Sequence, residues 1–334
     1  MKTIKDVAKL AGVSPATVSR VLNNSANVRV DTRRKIEEAI KALDFRPNES
    51  ARALVRKNVK TIGVVISELA DPFFAQMASA IESTAKKYGY RVLISTGSLD
   101  MKKERRAIES LIAQQCTALV VNSKALPDTE LIKIANNNPG FVLINKYVEE
   151  IKQRCVWFDN SLGGELMARH AISLGHKRIA VLMTKNKVHD ASRRLKGIRK
   201  EMATHGVRLS QQDVYYCQPD YNGAQQAVKD LISKTPPYSI ILCYNDAVAS
   251  GVIASLLDHG KNIPKDVSVM GFDDVLLAKY CSPKLTTIKY PISVMAAKAT
   301  ELALVLATPK AEQIEQLGYC YKPYLVQRQS VTSV

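Results

Sequence analysis

The alternation of strand-like and helix-like segments after residue 60 constrains the fold more than any other feature of this sequence. Short apolar runs rich in β-branched residues recur along it, at residues 61–66, 91–94, 118–121, 141–144, 155–158, 179–183, 239–242 and 267–270. Such runs, when segments of helical length separate them, are typical of buried parallel strands in βαβ units. About 270 residues of this pattern exceed what one sheet usually needs, so we predict two doubly wound parallel-sheet lobes.

The first 60 residues differ from this body in charge. They hold 14 Lys and Arg against 6 Asp and Glu, which places +8 of the chain's net charge of +17 in less than a fifth of its length. A short basic segment is the electrostatic signature of a small nucleic-acid-binding domain. The alternative is an ordinary helical domain whose charges are merely solvated.

Three short helices are predicted between residues 3 and 43. Thr3 begins a capping box at the first helix, and Gly12 ends that helix. Ser14 caps the second helix with Pro15 at its first position, and Asp31 or a neighbour caps the third. Apolar residues recur at helical spacing on each of them. Two helices joined by a glycine turn and followed by a third describe a helix-turn-helix.

The second helix is predicted to carry the residues that read DNA. Opposite its buried stripe lie Pro15, Ala16, Thr17, Ser19 and Arg20. Arg20 can donate two parallel hydrogen bonds to O6 and N7 of guanine. Thr17 and Ser19 suit phosphate contacts, and the apolar pair before them suits a thymine methyl group.

Residues 47–57 follow the three helices and contain good helix formers with basic residues on one side. This segment is too short to be a stable helix alone, so we expect it to order when it is paired and docked on DNA. Leu54 would then be an exposed apolar wedge of the kind that enters a minor groove.

Several classes of protein are disfavoured by what the sequence lacks. It has no Gly-x-Gly-x-x-Gly, Walker, Gly-x-Ser-x-Gly or His-Glu-x-x-His motif, so we expect neither an enzyme nor a cofactor. The six cysteines form no Cys-x-x-Cys pair, and we expect reduced thiols with no metal site. No apolar run approaches about 18 residues, and the start has no apolar signal region, so we expect a cytosolic protein without a membrane span.

Polar and aromatic side chains follow the predicted strands, where two-lobed α/β proteins bind ligands. They occupy residues 71–74, 158–160, 190–194, 245–246 and 271–274. Carboxylates, amides, an Arg fork and aromatic rings are the groups that a neutral sugar requires. Each group alone is explained by a helix cap or a core aromatic, but together at strand ends they favour a polyol site.

Several segments within the first 60 residues resemble a known protein family. Residues 4–14 (IKDVAKLAGVS) and 16–23 (ATVSRVLN) are similar to the lactose/galactose repressor family, and residues 48–54 are similar to its hinge helix. Pro15 departs from the Val that relatives usually carry. The resemblance implies a homodimer on palindromic operator DNA, with Leu54 as the minor-groove wedge. The predicted DNA contacts are Thr3, Ser14, Pro15, Ala16, Thr17, Ser19, Arg20, Asn23, Asn27, Ala51 and Leu54.

The resemblance extends over the body to about residue 330. Residues 71–74, 173–176, 245–246, 268–274 and 285–288 are similar to the sugar-responsive branch, and residues 242–246, 289–292, 301–307 and 325–331 to its galactose repressors. It implies a periplasmic-binding-protein-like core with lobe crossings near 159, 290 and 320. It also implies a hydroxyl-clamping Arg194, polar ligands Asn245 and Asp273, and aromatic contacts. With two strand-end acids, the predicted effector set is Asp71, Phe73, Phe74, Phe158, Asp190, Arg194, Asn245, Asp273 and Tyr290.

The prediction as a whole is a cytoplasmic transcriptional repressor. Residues 1–46 are the helix-turn-helix domain, 47–60 the hinge helix and linker, and 61–334 the two-lobed effector-binding and dimerisation domain. We expect a monosaccharide, D-galactose, to lower operator affinity and so to control genes of sugar uptake or catabolism. The alternatives are another sugar, a corepressor ligand in the same fold, or a cytosolic sugar-binding or sugar-modifying α/β protein.

Overall fold

The computed structural model describes residues 2–22, 28–45, 60–234, 237–308 and 318–334. Contacts divide the chain into two compact units, residues 1–59 and 60–334. The predicted hinge segment and the predicted DNA contacts Asn23, Asn27, Ala51 and Leu54 lie outside the described residues. Within the described part, no helix is both long enough and apolar enough to cross a membrane.

The smaller unit consists of helices α1 (Ile4–Ala11), α2 (Pro15–Leu22) and α3 (Val30–Ala42). The predicted capping box is confirmed, because the Asp6 amide donates to Thr3 Oγ1 at 3.4 Å and the Thr3 amide donates to Asp6 Oδ2 at 2.7 Å. Gly12 ends α1 in the left-handed conformation, with φ +66°, which a glycine adopts without steric cost. Val7, Val18 and Ile36 are fully buried and close a small core between the three helices.

The predicted cap of the third helix is wrong for Asp31. The residue before α3 is Arg29, and its side chain makes no capping hydrogen bond. Asp31 lies instead within the first turn of α3. A carboxylate is favourable there as well, because it complements the partial positive charge of the helix N-terminus. The composition of this turn therefore signals a helix start without fixing which residue caps it.

The first sheet of the larger unit has the strand order β11-β5-β4-β3-β1-β2, with every pairing parallel. Its strands are β1 (Thr61–Ile66), β2 (Arg91–Thr96), β3 (Ala118–Val121), β4 (Phe141–Ile144), β5 (Cys155–Phe158) and β11 (Tyr319–Tyr321). Around it lie α4 (Pro72–Lys87), α5 (Met101–Ala113), α6 (Asp128–Asn137), a 3-10 segment (Glu149–Arg154) and α12 (Ile292–Leu306).

The second sheet has the order β12-β10-β9-β8-β6-β7. Its strands are β6 (Ile179–Thr184), β7 (Val214–Cys217), β8 (Ile240–Cys243), β9 (Ser268–Asp273), β10 (Thr286–Lys289) and β12 (Tyr324–Val326). The helical segments of this lobe are α7 (Asn160–Ser173), α8 (His189–Thr204), a 3-10 turn (Gln211–Asp213), α9 (Tyr221–Ile232), α10 (Asp246–Asp258) and α11 (Leu276–Tyr280). Two doubly wound lobes are therefore confirmed.

The sheets depart from the predicted set of eight buried parallel strands, since β7, β10, β11 and β12 were not predicted from the sequence. β12 pairs antiparallel to β10, so the second sheet is mixed at that edge. β2 is an edge strand with Leu93 37% and Ile94 41% exposed, although its apolar run predicted a buried strand. Continuous apolar runs do not distinguish a covered strand from an edge strand, because both carry the same β-branched and aliphatic residues.

The chain passes between the two lobes at the ends of its strands. Within the described residues it leaves the first sheet after Phe158, returns to it after Lys289, and crosses again between Tyr321 and Tyr324. The strand ends at these crossings lie beside one another, since Cys320 pairs with Trp157 and Asp273 pairs with Lys289. A cleft between the lobes is thus lined by residues at the carboxyl ends of both sheets.

Two helices that position the cleft approach each other closely through glycines. A Cβ at Gly197 in α8 would lie 2.0 Å from the carbonyl oxygen of Ser161 in α7. The reciprocal Cβ at Gly164 would lie 2.1 Å from the carbonyl oxygen of Arg194. Backbone atoms cannot rotate out of the way as a side chain can, so only glycine permits this approach. The pairing holds α8 against the start of α7.

We predict that Gly197→Ala destabilises the larger unit. In an open helix this change would stabilise by roughly 1 kcal/mol through helix propensity. Here the added methyl group meets a backbone carbonyl, and overpacking of this kind costs about 1–3 kcal/mol beyond that gain. The free energy of unfolding from urea titration of the full chain measures the effect. Lys196→Ala, at an exposed neighbouring position, is the control and should change stability little. Equal stability of the Gly197 variant and wild type would contradict the close approach.

Candidate functional site

The candidate DNA-reading residues lie on and before α2. Pro15, Ala16 and Arg20 are exposed, while Val18 and Val21 on the opposite face are buried. The Arg20 guanidinium makes no hydrogen bond or ion pair with any described residue, so its donors remain available to a base edge. The structure therefore presents the predicted base-reading residues on one solvent-facing side of the unit.

The hydroxyl groups near this face are partly engaged within the domain. Ser14 Oγ lies 2.8 Å from Thr17 Oγ1 and also accepts from the Thr17 amide at 3.2 Å. Thr3 donates its hydroxyl to Asp6 at 2.9 Å. Ser14 and Thr3 thus serve as helix caps, as their positions predicted. Ser19 is half-buried.

The candidate effector site is the cleft between the two lobes. Its empty space, with the open solvent at its mouth included, is about 510 Å³. Its lining comes from both sheets: Asp71, Phe73, Phe74, Leu99, Lys124, Asn145, Thr184, Asn186, Val188, Asp190, Arg194, Pro219, Tyr244, Asn245 and Asp273. Seven of the nine predicted effector residues are among these, which brings together side chains separated by up to 202 positions.

Arg194 occupies the centre of the second-lobe side and is 4% exposed. Its Nε donates to Asn160 Oδ1 at 2.9 Å, Nη1 to the carbonyl of Tyr244 at 2.6 Å, and Nη2 to Asp273 Oδ1 at 3.4 Å. Its guanidinium carbon lies 3.6 Å from the centroid of the Phe272 ring. A planar cation stacked on an aromatic face keeps the edge donors pointing outward in a fixed plane.

The charges around this arginine decide how it titrates. Burial alone would lower the pKa of the Arg194 guanidinium, but the carboxylate of Asp273, with Asp190, raises it instead. Burial raises the pKa of the Asp273 carboxyl well above its ordinary value, and the positive charge of Arg194 opposes this shift. The arginine is therefore a permanent donor, with an acidic group held beside it as an acceptor.

A second charged pair spans the cleft from the first lobe to the second. Lys124 Nζ lies 2.8 Å from Asp190 Oδ2, and both side chains are more than nine-tenths buried. Tyr244 donates its hydroxyl to the same oxygen at 3.2 Å. Burial alone would raise the pKa of Asp190, but the charges of Lys124 and Arg194 outweigh it and hold that pKa well below the usual range. The carboxylate is thus ionised at every physiological pH.

Lys124 is presented by a loop that is organised around a buried carboxylate. Glu104 of α5 is 1% exposed and accepts hydrogen bonds from the Ser123 hydroxyl at 2.6 Å and from three successive amides, those of Lys124, Ala125 and Leu126, at 2.9–3.1 Å. A carboxylate that collects several donors in this way fixes the backbone that supplies them. Glu104 therefore sets where the loop after β3 delivers its lysine.

Aromatic rings form one wall of the cleft. Phe73 and Phe74 line it and meet edge to face, with centroids 5.3 Å apart. Behind them Tyr290 meets Phe73 at 5.0 Å and stacks on Phe158 at 3.8 Å. Tyr290 and Phe158, which were predicted as effector contacts, are 1% and 4% exposed and are not among the cleft-lining residues. The two rings therefore lie behind the aromatic wall and support it, but they do not form the surface that faces the cleft.

Two of the predicted polar residues act as helix caps at the cleft. Asn245 accepts from the Val248 amide at 2.9 Å and donates to the carbonyl of Pro219 at 3.2 Å. Asp71 accepts from the Phe73 amide at 2.8 Å, and burial raises the pKa of its carboxyl. The alternative explanation from sequence, that single strand-end polar groups are caps, thus applies to both even though both line the cleft.

The backbone at Asp273 is strained. Its φ of +107° lies in a region that non-glycine residues rarely adopt, and such conformations cost about 1–3 kcal/mol. The next residue, Asp274, also has a positive φ and is held by Lys289 Nζ at 2.9 Å and Arg328 Nη2 at 2.6 Å. These ion pairs stabilise the turn that places the Asp273 carboxylate beside Arg194.

The prediction from sequence missed Lys124, Tyr244, Asn145, Thr184 and Asn186. Four of them end a strand or follow one by one or two positions, so the strand-end rule would have identified them had it been applied to every strand. Lys124 follows β3 by three residues, and nothing in its neighbourhood signals that it reaches across the cleft. That contact depends on Glu104, twenty positions earlier.

The chemistry of the cleft suits a neutral polyhydroxylated molecule. Its two cations each lie beside an acidic side chain, Lys124 at 2.8 Å from Asp190 and Arg194 at 3.4 Å from Asp273. Fixed donors, acceptors and an aromatic wall remain for hydroxyl groups and for the apolar face of a ring. Among the described residues, no group of three or more His, Cys, Asp or Glu is placed to hold a metal ion.

Comparison with known proteins shows which families the chain resembles. The family of periplasmic binding proteins and sugar-binding domains of the LacI family matches residues 59–322. The family of bacterial regulatory proteins of the lacI type matches residues 3–48.

Two curated relatives align over nearly their whole length. The HTH-type transcriptional regulator GalR of Escherichia coli K12 is 40% identical over 333 residues, covering 100% of this chain and 96% of the relative. The regulator GalS of Salmonella typhimurium LT2 is 41% identical over 331 residues, covering 99% and 97%.

Solved structures agree with this placement. The Lac repressor bound to ONPG in the repressed state superposes with a TM-score of 0.85 at 27% identity, covering 98% of this chain and 99% of the repressor chain. A complex of the transcriptional regulator CelR with cellobiose gives a TM-score of 0.71 at 25% identity, covering 99% and 100%. The chain belongs to the LacI family of DNA-binding bacterial transcriptional regulators, which are not enzymes.

Proposed function

We propose that the protein is a cytoplasmic repressor that binds operator DNA as a homodimer and releases it when D-galactose occupies the cleft. The main observation behind this proposal is the buried guanidinium of Arg194, which is hydrogen-bonded to Asn160 and Asp273 and stacked on the ring of Phe272. The genes it controls would serve sugar uptake or catabolism.

The ligand class follows from the balance of charges. An anionic effector would require an unpaired cation, and the cations that line the cleft, Lys124 and Arg194, each already have a carboxylate partner. A hydroxyl group can accept from Arg194 and donate to Asp273 without adding charge. The choice of galactose among sugars rests on the galactose-repressor motifs at residues 242–246 and 325–331 and on the similarity to GalR and GalS.

The DNA-binding half rests on the exposed face of α2. Arg20 has free donors among the described residues and Pro15 and Ala16 flank it on the surface. Leu54 is proposed as the minor-groove wedge from the sequence alone. A dimer agrees with the operator-bound Lac repressor dimer, which superposes with a TM-score of 0.84.

The alternative is that the ligand of the same cleft acts as a corepressor, which would strengthen operator binding instead of weakening it. The lobe arrangement that a ligand favours decides whether it weakens or strengthens operator binding. We choose induction because a catabolic repressor must be released when its sugar appears.

We predict that Arg20→Ala weakens specific operator binding by about 1–3 kcal/mol and random DNA binding little. One bidentate contact to guanine discriminates between bases by that amount. Gel-shift titrations on an operator and on a scrambled duplex at one salt concentration measure both affinities.

The matched control removes a charge elsewhere on the same unit. Lys41→Ala takes an exposed cation from α3 and should change both affinities alike. Equal losses on operator and scrambled DNA for the Arg20 variant would reassign this residue to phosphate contacts.

We predict that Arg194→Ala gives a repressor that binds operator but ignores galactose. The change removes the donors that face the sugar and leaves Asp273 and Asn160 without their partner, at a cost of about 1–3 kcal/mol for each unpaired buried group. Isothermal titration with galactose and operator binding with and without galactose are the measurements.

Arg199→Ala is the control for this variant. It removes an exposed arginine from the same helix, one whose guanidinium contacts Gln211, and should leave galactose binding unchanged. A folded Arg194 variant that responds to galactose with wild-type affinity would show that the site is assigned incorrectly.

We predict that galactose and operator each weaken the binding of the other by the same factor. Linkage requires this equality for equilibrium affinities, and such coupling is typically about 1–3 kcal/mol. Calorimetric titration of galactose into free protein and into the protein–operator complex gives one factor, and operator titrations with and without saturating galactose give the other. Tighter operator binding with galactose present would favour the corepressor reading instead.

A further inference from the structure

Asp246 is a fully buried acid that is not among the cleft-lining residues. It is the first residue of α10. Its Oδ1 accepts a hydrogen bond from the Thr287 hydroxyl of β10 at 2.6 Å, and its Oδ2 accepts from the Val275 amide at 2.9 Å. One side chain therefore joins the start of a helix to a strand and to the turn that follows the neighbouring strand β9.

Two of the segments that Asp246 joins carry polar residues of the cleft. Asn245 directly precedes it, caps α10 and lines the cleft. Val275 lies two positions after Asp273, which also lines the cleft. The hydrogen bond to the Val275 amide thus restrains the turn in which Asp273 has its strained backbone, with φ of +107°. The separation of the Asn245 and Asp273 side chains therefore depends on the Asp246 carboxyl.

The strand β9 is shaped around the same carboxyl. A Cβ at Gly271, two residues before Asp273, would lie 2.3 Å from Asp246 Oδ1. Thr287, which donates to that oxygen, is the partner of Gly271 in the parallel pairing of β9 with β10. The Asp246 side chain is hydrogen-bonded at both oxygens and cannot move aside without breaking a bond. Glycine at position 271 is therefore required for the carboxyl to occupy this place.

The Asp246 carboxyl is hydrogen-bonded only to neutral donors among the described residues. The titratable and charged groups that act on it or are acted on by it are Asp273 and Asp274 at the end of β9, Arg328 after β12, Cys243 of β8 and Cys281 after α11. Lys289 of β10 and Arg328 are themselves held by Asp274.

Burial is what sets the titration of this acid. It raises the pKa of Asp246 to about 7, with a smaller contribution from the charge of Asp274. The hydrogen bonds from Thr287 and Val275 and the charge of Arg328 oppose the rise. The ionisation of Asp246 therefore changes in the neutral range of pH.

The charge of Asp246 decides how firmly the turn is held. As a carboxylate it accepts a charge-assisted hydrogen bond from each donor, and such bonds are roughly twice as strong as neutral ones. As a neutral acid it keeps one carbonyl oxygen for the Val275 amide, and its own O–H must donate to the Thr287 hydroxyl. The turn is then held less firmly, and the strained backbone at Asp273 can relax away from Arg194.

The same charge also acts on the neighbouring acid. Burial and, to a smaller extent, the charge of Asp246 raise the pKa of Asp273. This repulsion does not remove a ligand for sugar, because a protonated carboxyl keeps an acceptor oxygen. The hold on the turn therefore sets the direction in which Asp246 affects sugar binding.

We propose that Asp246 is a positioning residue of the effector site, whose carboxylate fixes Asn245 and Asp273 at the separation at which the cleft binds sugar. The proposal rests on the sugar-binding role of the cleft. Asp246 touches no ligand itself and acts through these two residues. Galactose affinity therefore rises with pH through the neutral range, as Asp246 ionises.

The first measurement is a calorimetric titration of full-length protein with D-galactose over the neutral range of pH. Wild-type affinity should rise about fivefold from the acidic to the alkaline end, which is the advantage of one charge-assisted hydrogen bond over a neutral one. Because histidines also titrate near this range, the test is the comparison of wild type with variants.

Asp246→Asn is a neutral mimic of the protonated acid. Its Oδ1 can accept from the Val275 amide while its Nδ2 donates to the Thr287 hydroxyl. It should bind galactose with the affinity that wild type has at the acidic end, and that affinity should not change with pH. Asp258→Asn, at the exposed end of the same helix, is the matched control and should keep the wild-type profile.

Two further measurements separate positioning from a merely structural role. Burial disfavours the ionised form of Asp246, so Asp246→Asn should resist urea at least as well as wild type at the alkaline end, where its galactose affinity is lower. Thr287→Val removes a hydrogen bond that opposes the rise in the pKa of Asp246. It should therefore move the midpoint of the galactose profile to higher pH.

The outcomes that overturn the positioning role differ from those that overturn the function of the cleft. An Asp246→Asn variant with the wild-type pH profile, or one that binds galactose more tightly than wild type at the alkaline end, overturns the positioning role while the sugar-binding cleft stands. A loss of stability that accompanies the loss of affinity, or an unmoved midpoint in Thr287→Val, leads to the same conclusion. Absence of heat with wild-type protein at every pH removes the sugar-binding cleft itself, and the positioning role with it.

Discussion

The burial of one positive charge organises the second lobe. A guanidinium withdrawn from water is stable only if its charge is matched and its donors are satisfied, since removing a partner from such a pair typically costs about 3–5 kcal/mol. Arg194 meets these conditions through Asp273, Asn160, the carbonyl of Tyr244 and the face of Phe272. These partners come from the start of one helix and from the ends of two strands. The arrangement exists only when all of these segments have folded together.

The first lobe uses a carboxylate in the corresponding way. Glu104 collects the amides of the loop after β3, and that loop delivers Lys124 to Asp190 on the other lobe. Each cation of the cleft thus has an acidic partner within the protein, so an anionic ligand meets no unpaired positive charge there. Selectivity among neutral ligands must come from the direction of hydrogen bonds and from the aromatic wall, because cations that already have acidic partners attract an anion only weakly.

The strands can be predicted from the sequence wherever burial restricts the residue type. Strands packed on both faces need continuous apolar residues, so most of the central strands could be predicted within one or two residues of their bounds. β10 was missed as a strand because it is polar, with Thr286 and Thr287 bonded to Ser330 and Asp246 in the interior. β11 and β12 have three residues each, too few for any periodicity, and they exist through pairing with strands far away in sequence.

The residues of the site also divide into those that the sequence predicts and those that it does not. Residues at strand ends were accessible to prediction because parallel sheets gather their carboxyl ends, and family resemblance singled out Arg194. Lys124 was not accessible, because its position is set by a buried acid on another element rather than by any local pattern. Phe158 was predicted as a contact because an aromatic ring at a strand end suits a sugar, and Tyr290 because the family resemblance implies a contact at its position. Both rings lie instead in the core, where they stack at 3.8 Å behind Phe73. Residue type alone cannot distinguish an aromatic ring that lines the cleft from one that is buried behind it.

The contacts that span the lobes explain how a small neutral molecule can control a large movement. Lys124 with Asp190 and Tyr290 with Asn145 join residues of the two lobes or of the crossings between them. A ligand that hydrogen-bonds to Asp190 or Asn145 competes with these contacts or extends them, and so changes the free-energy difference between lobe arrangements. Only a differential interaction of this kind can shift such an equilibrium. A coupling of about 1–3 kcal/mol, the usual size for allosteric proteins, needs no more than one or two hydrogen bonds that form in one arrangement and not in the other.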